Sequence, residues 1–163
     1  MLIFAVRLIL ERDGKLLFLH QTKKNGGGFS LVGGNVEDRE FAREALARET
    51  MEEAGIRVDP AKMQLVHVLH RHKLKKNEQL LVLYFKVADF VGIPEPLERK
   101  KFRDVVWFAA DHLPEGVSKA TRHVIERLQA GEIYSEFPSR TKVLLYWGQF
   151  AQSWQNSQPP DIL

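Results

Sequence analysis

Apolar positions in this chain follow two periods, and the switches between them lay out the elements. Residues 2–10 (LIFAVRLIL) form a nearly continuous apolar run, and 15–21 (KLLFLHQ) form a second. Asp13-Gly14 between them is a dipeptide that suits a tight hairpin turn. Phe29 to Val32 predicts a short strand inside a glycine-rich stretch, and 63–71 (MQLVHVLHR) a longer one. Lys73–Glu78 reads as a loop, Gln79–Phe90 as a long β-rich stretch, and Val105–Phe108 as another short strand. Helical spacing appears twice. From about Asp38 to Ala54 strong helix formers dominate, with Asp38 placed as an N-cap and Gly55 as a left-handed C-cap. Ser118 to Ala130 repeats the helical pattern and stops at Gly131.

Strands around one central and one later helix describe an α/β protein. No repeat, low-complexity segment or interdomain linker interrupts the chain, so 1–150 reads as one domain and 151–163 as a polar, proline-containing C-terminal tail. The aromatic stretch 132–150 is open to two readings. Val143–Trp147 can add a strand or a homodimer contact, or the segment can pack irregularly on the domain.

Composition narrows the classes. A chain of 163 residues, 44% hydrophobic and 28% charged, is globular and long enough to bury roughly 70% of its unfolded surface. It has no cysteine, which excludes disulfides, zinc-thiolate sites and thiol nucleophiles. The apolar N-terminus is broken by Arg7, carries no basic leader or cleavage motif, and is too short to span a bilayer. It reads as a buried strand of a cytoplasmic protein without a membrane partner. The net charge of +3 is modest, but basic residues cluster at His70, Arg71, His72, Lys73, Lys75, Lys76 and at Arg99, Lys100, Lys101. Such clusters steer polyphosphate anions, or they are ordinary solvated loop charges. His70 and His72 share one strand face and His67 takes the other, so these three imidazoles do not make a ligand set.

The most informative segment is 34–56, GNVEDREFAREALARETMEEAGI. At about 100° per residue, Glu52 and Glu53 lie about 60° and 40° to either side of Glu49, so three carboxylates share one narrow helix face. Glu49 and Glu53 repel at (i, i+4) by a few tenths of a kcal/mol, and both sit where the helix dipole disfavours negative charge. A hard divalent cation removes this conflict, because Mg²⁺ or Mn²⁺ prefers carboxylate oxygens, water and phosphate.

Gly34, Glu40, Arg48, Glu49, Glu52, Glu53 and Gly55, with Ile56, stand in an order that resembles the Nudix box, G-x5-E-x7-R-E-U-x-E-E-x-G-U. With each residue type near its average frequency, seven fixed letters coincide by chance in fewer than about one chain per million. Two departures stand out: Thr50 occupies the first aliphatic place, and Val32 stands where the family usually has proline. The resemblance implies an α/β/α sandwich with a mixed β-sheet and a MutT-like hydrolase. It implies Mg²⁺ (or Mn²⁺) held by the Gly34 carbonyl, Glu49, Glu52 and Glu53, with Arg48 orienting the glutamates. Helical geometry puts Glu40 near the side of the helix opposite Glu49, so it reads as an orienting or outer group.

The stretch 92–114 is also similar to a MutT-like pattern ending in Trp107-Phe108 and Leu113-Pro114. It makes Glu98 either an extra metal ligand or base, or an exposed loop glutamate. Trp107 and Phe108 read as core. Where relatives carry a phosphate-binding arginine after the hairpin, Lys23 and Lys24 stand here, and with Phe29 they are the candidate substrate contacts. The expected reaction is hydrolysis of a nucleoside triphosphate to the monophosphate and pyrophosphate, with Glu49, then Glu98, as base. Hydrolysis of another diphosphate, such as a nucleotide sugar or an RNA 5′ end, or a non-catalytic sensing module, are the alternatives. The expected partner is thus a nucleotide or other diphosphate rather than nucleic acid.

Overall fold

The computed structural model describes residues 2–73 and 78–138. The elements run β1 (Leu2–Arg12), β2 (Lys15–Gln21), β3 (Phe29–Ser30), α1 (Ala42–Ala54), β4 (Gln64–Lys73), β5 (Glu78–Val87), β6 (Phe102–Ala109), α2 (Lys119–Gln129) and β7 (Tyr134–Phe137). The strands form one mixed sheet in the order β3-β2-β1-β5-β4-β7, with β6 on the other edge of β2. A helix lies on each face. Val6, Leu8 and Leu10 of β1 join Ala45 and Leu46 of α1 in one core, whereas Ala5 and Ile9 join Ala120, Val124 and Ile125 of α2 in the other. The period of two along β1 thus splits its side chains between two cores. This is the α/β/α sandwich that the sequence led us to expect.

The β1–β2 hairpin turns on Asp13 and Gly14, both at positive φ (51° and 72°), the backbone a two-residue type I′ turn requires. Beyond Leu10 the first strand leaves its parallel partner β5 and pairs with β2 at Glu11 and Arg12. That departure ends β5 at Val87, short of the expected Phe90, because the next residues have lost their neighbour. On its other edge β1 receives the glycine loop: Val6 and Leu8 donate to the carbonyls of Gly34 and Val32, both at 2.9 Å, and Val36 donates to Phe4 O at 3.0 Å.

Three further boundaries differ from expectation. Helix α1 begins at Ala42, not near Asp38, because Arg39 adopts a left-handed φ of 66° and breaks the helical path. Phe41 is the extended residue before the first turn, and the Glu44 carboxylate accepts its N–H at 2.9 Å, one half of a capping box. Strand β6 is twice the expected length, since it pairs with β2 from Lys15↔Ala109 to Gln21↔Phe102. Strand β7, inside the stretch read as a possible irregular segment, pairs parallel with Val68–Arg71 of β4. Val143–Trp147 and the 151–163 tail lie outside the described residues.

Candidate active site

Helix α1 ends as its sequence dictates. Gly55 at φ 65° donates to Met51 O, and Ile56 donates to Thr50 O, so the last carbonyls are satisfied while Ile56 is fully buried. Thr50 is also fully buried; its Oγ1 donates to Ala47 O at 2.9 Å, which explains how a hydroxyl occupies an aliphatic place at little cost. Two more carbonyls at this end, those of Glu53 and Ala54, accept the N–H groups of Leu97 and Glu95. Those bonds bring the 95–98 loop, with Glu98, against the carboxylate-bearing turn.

Arg48 is the hub of the acidic face. Its Nε and Nη2 meet the two oxygens of Glu40 at 2.9 and 3.0 Å, and Nη1 reaches Glu49 at 2.9 Å and Glu52 at 3.1 Å. Nη2 also donates to Asn35 O at 3.3 Å, tying the helix to the glycine loop. The Arg48 hydrogen bond holds the Glu40 carboxyl below its usual range. The glutamates raise the proton affinity of Arg48 in return. Glu40 is therefore not on the far side of the helix. It lies in the turn before α1, anchored by the Glu37 N–H at 3.1 Å, and folds back onto Arg48.

Glu53 points the other way, into the protein. It is 6% exposed, and its Oε2 accepts the Gly33 N–H at 2.9 Å. Burial pushes its pKa up to about 7, with the charges of Glu49 and Glu98 adding to the rise and the Gly33 N–H and Arg7 opposing it. Gly33 has φ 134°, and a Cβ there would strike the Val6 carbonyl. A Cβ on Gly34 would collide with the Glu49 carboxylate, so the missing side chain lets Glu49 lie against the loop backbone. Glu98 pairs with Lys101 at 2.8 Å, which raises the lysine pKa.

Among the described residues, no group of three or more His, Asp or Glu side chains is arranged as a ready metal cage. Each carboxylate is instead held by a donor of the protein. Glu49 and Glu52 turn to Arg48, Glu53 to the Gly33 amide and Glu98 to Lys101. The donor set nevertheless suits a hard divalent ion: it consists of carboxylate oxygens and the Gly34 carbonyl, and it includes a buried carboxyl that no cation among the described residues contacts directly.

Beside the glycine loop a pocket of about 320 Å³ opens on the α2 face of the sheet. Phe29 lines it, edge-on to Phe108 at 4.8 Å and against His20 at 4.4 Å. Lys23 and Lys24 are exposed on a short turn after β2 and are not among the lining residues. Trp107 and Phe108 pack against the two cores, as expected. Arg7, Arg71 and Tyr84 line this pocket; the sequence showed Arg7 only as a break in the first strand and Arg71 only within a basic cluster, and gave no sign of Tyr84. The available signal was a charged residue on the inward face of an otherwise apolar strand.

This fold and the acidic helix–glycine loop unit define a class of diphosphate-cleaving enzymes, and comparison with known proteins agrees. The chain is similar to the crystal structure of a MutT NUDIX hydrolase from Burkholderia pseudomallei, with a TM-score of 0.70 and 27% identity over 77% of this chain and 97% of that one. A MutT protein from Methanosarcina mazei, at TM-score 0.68 and 20% identity, covering 79% of this chain and 94% of that one, shares the fold. In sequence it is 30% identical over 109 residues to the CTP pyrophosphohydrolase of Escherichia coli, covering 65% of this chain and 75% of that protein. It is 26% identical over 110 residues to an NAD-capped RNA hydrolase of Klebsiella pneumoniae, covering 68% of this chain but 40% of that protein. The NUDIX domain model matches residues 1–128, and the chain belongs to this family as a Nudix hydrolase acting on nucleoside diphosphate-linked substrates.

Proposed function

We propose that the protein hydrolyses a nucleoside triphosphate to the monophosphate and pyrophosphate. The observation that carries this reading is the Arg48–Glu49–Glu52–Glu53 turn packed against Cβ-free Gly34. Similarity to the Escherichia coli CTP pyrophosphohydrolase supports the triphosphate. Gly34, Glu49, Glu52, Glu53 and Glu98 would hold Mg²⁺ or Mn²⁺, which when bound neutralises charge on the phosphate oxygens and lowers the pKa of water. Arg48 fixes the rotamers of Glu49 and Glu52 and leaves Glu53 free to face the loop. Glu49 takes the proton from the attacking water. Glu98 is the second choice as base; like Glu49, which Arg48 holds, it has one oxygen held by a cation, here Lys101. Phe29 offers a ring edge to the nucleoside, while Lys23 and Lys24 supply positive charge at the turn that precedes it.

A second reading, hydrolysis at an RNA 5′ end, is favoured by the likeness to the NAD-capped RNA hydrolase and by the basic run that begins at His70. A non-catalytic sensing module would not need the full set of box carboxylates that this chain retains. The test is release of pyrophosphate or phosphate from nucleotides, nucleotide sugars and 5′-capped RNA, with and without Mg²⁺, alongside Glu52→Gln. Triphosphate cleavage that needs the metal and falls in the variant supports the proposal. Cleavage unchanged by either would overturn it.

A further inference from the structure

The pocket beside the glycine loop has an unusual electrostatic make-up. Two arginines line it, Arg7 from β1 and Arg71 from β4, and none of its lining residues is acidic. Arg7 stands at the seam with the acidic face: its Nη1 donates to Val6 O at 2.7 Å and to Gly34 O at 3.4 Å. Arg71 lies further along the same sheet face, opposite Leu80 in the register where Arg7 lies opposite Tyr84. Among the described residues the Arg71 guanidinium has no hydrogen-bond or ion-pair partner.

Tyr84 stands between these positions on the pocket floor. The residue is 4% exposed, and its hydroxyl makes no hydrogen bond among the described residues. Burial pushes its pKa up to about 12, against the opposing charges of Arg7 and Arg71, so the hydroxyl keeps its proton and remains a donor. Ser30, Ser118, Thr121 and Gln21 complete the polar lining. Two guanidiniums facing one small chamber repel each other. With no acid in the lining, an anion in the space beside them is favoured. The hydroxyls and the Gln21 amide can donate or accept, whereas the two guanidiniums only donate, so the charged part of the lining favours phosphate or carboxylate oxygens.

We propose that this pocket is an anion site, in which Arg71 and the Tyr84 hydroxyl grip a second phosphate or carboxylate carried by the substrate, apart from the diphosphate that is cleaved. Arg7 lies between the two sites and faces the phosphate nearest the glycine loop. The proposal rests on the hydrolase reading above and narrows its substrate to one whose nucleoside or attached group bears its own negative group.

The test compares pairs of nucleoside diphosphate-linked compounds that differ only by one phosphate on a ribose hydroxyl, or by one carboxylate on the attached group. The charged member of a pair is expected to have a KM lower by about tenfold or more, with kcat little changed. That preference should fall towards one in Arg71→Ala, recover in part in Arg71→Lys, and shrink in Tyr84→Phe. Thermal melts report whether each variant is folded. Independently, inorganic phosphate added to the metal-free protein should shift the Arg71 Nε–H resonance. A preference confined to phosphate or to carboxylate identifies which anion the site takes and supports the proposal. Equal KM within every pair, with no phosphate shift at Arg71, overturns it. If no compound is hydrolysed while phosphate still perturbs Arg71, the anion site stands and the hydrolase reading fails instead.

Discussion

At the scale of single residues, the site is organised by where each carboxylate finds a donor. Glu53 pays most for its position, since among the described residues its carboxylate accepts one amide N–H, with the Arg7 charge helping without direct contact. Its folded pKa of about 7 lies above the ordinary 4.5, so protons bind the folded state more tightly than the unfolded one. The associated stability is present below the unfolded value and is lost as pH rises through about 7. In EDTA the protein should therefore lose on the order of 2–3 kcal/mol of stability between about pH 4.5 and 8 from this group. Glu53→Gln should flatten that slope in urea unfolding at a series of pH values; an unchanged slope would place the effect elsewhere. Gly34 makes a different claim. Because a Cβ there would displace the Glu49 carboxylate, Gly34→Ala should cut kcat by about 10²-fold with little change in melting temperature.

At the scale of elements, caps and loop docking hold the acidic turn in place. Gly55→Ala forces a side chain into a left-handed residue and brings its Cβ to 3.4 Å from Leu97, in the loop that positions Glu98. A loss of about 1–2 kcal/mol is expected, read by chemical denaturation. On the other face Ser118 accepts the Thr121 N–H at 3.1 Å, and Ser118→Ala should cost about 1 kcal/mol without touching the acidic site. Elements of this kind were legible in the sequence because local chemistry fixes them: the Asp13-Gly14 turn, the Gly55 cap and the end of α2. The start of α1 was not, since nothing in the Asp38–Phe41 letters announces that Arg39 will turn left-handed. β7 was hidden because Tyr134–Phe137 is too short to show a period and owes its conformation to β4. The same limit separated the two halves of the site. Arg48 and its glutamates lie within one box, whereas Arg7, Arg71 and Tyr84 meet only because β1, β5 and β4 lie side by side.

At the scale of the whole molecule, the glycine loop is the piece that couples everything else. It pairs with β1 through Val6 and Leu8, donates to Glu53, accepts from Arg48 at Asn35 and touches Arg7 at Gly34. A cation gathered by α1 and this loop would therefore brace the central strand as well as the helix. A ligand that binds only the folded state adds about 2.7 kcal/mol of stability at a hundredfold excess over its Kd. For a chain of this size that corresponds to roughly 5–10 °C in melting temperature. Mg²⁺ or Mn²⁺ should produce such a shift. It should be larger at pH 8 than at pH 6, because the ion competes with a proton for a Glu53 carboxyl whose pKa is about 7. Glu52→Gln should weaken the shift. Glu53→Gln should weaken it too, and should also remove much of its dependence on pH. If neither ion moves the melting temperature at either pH, the carboxylates of α1 do not form a metal site, and Arg48 alone accounts for their arrangement.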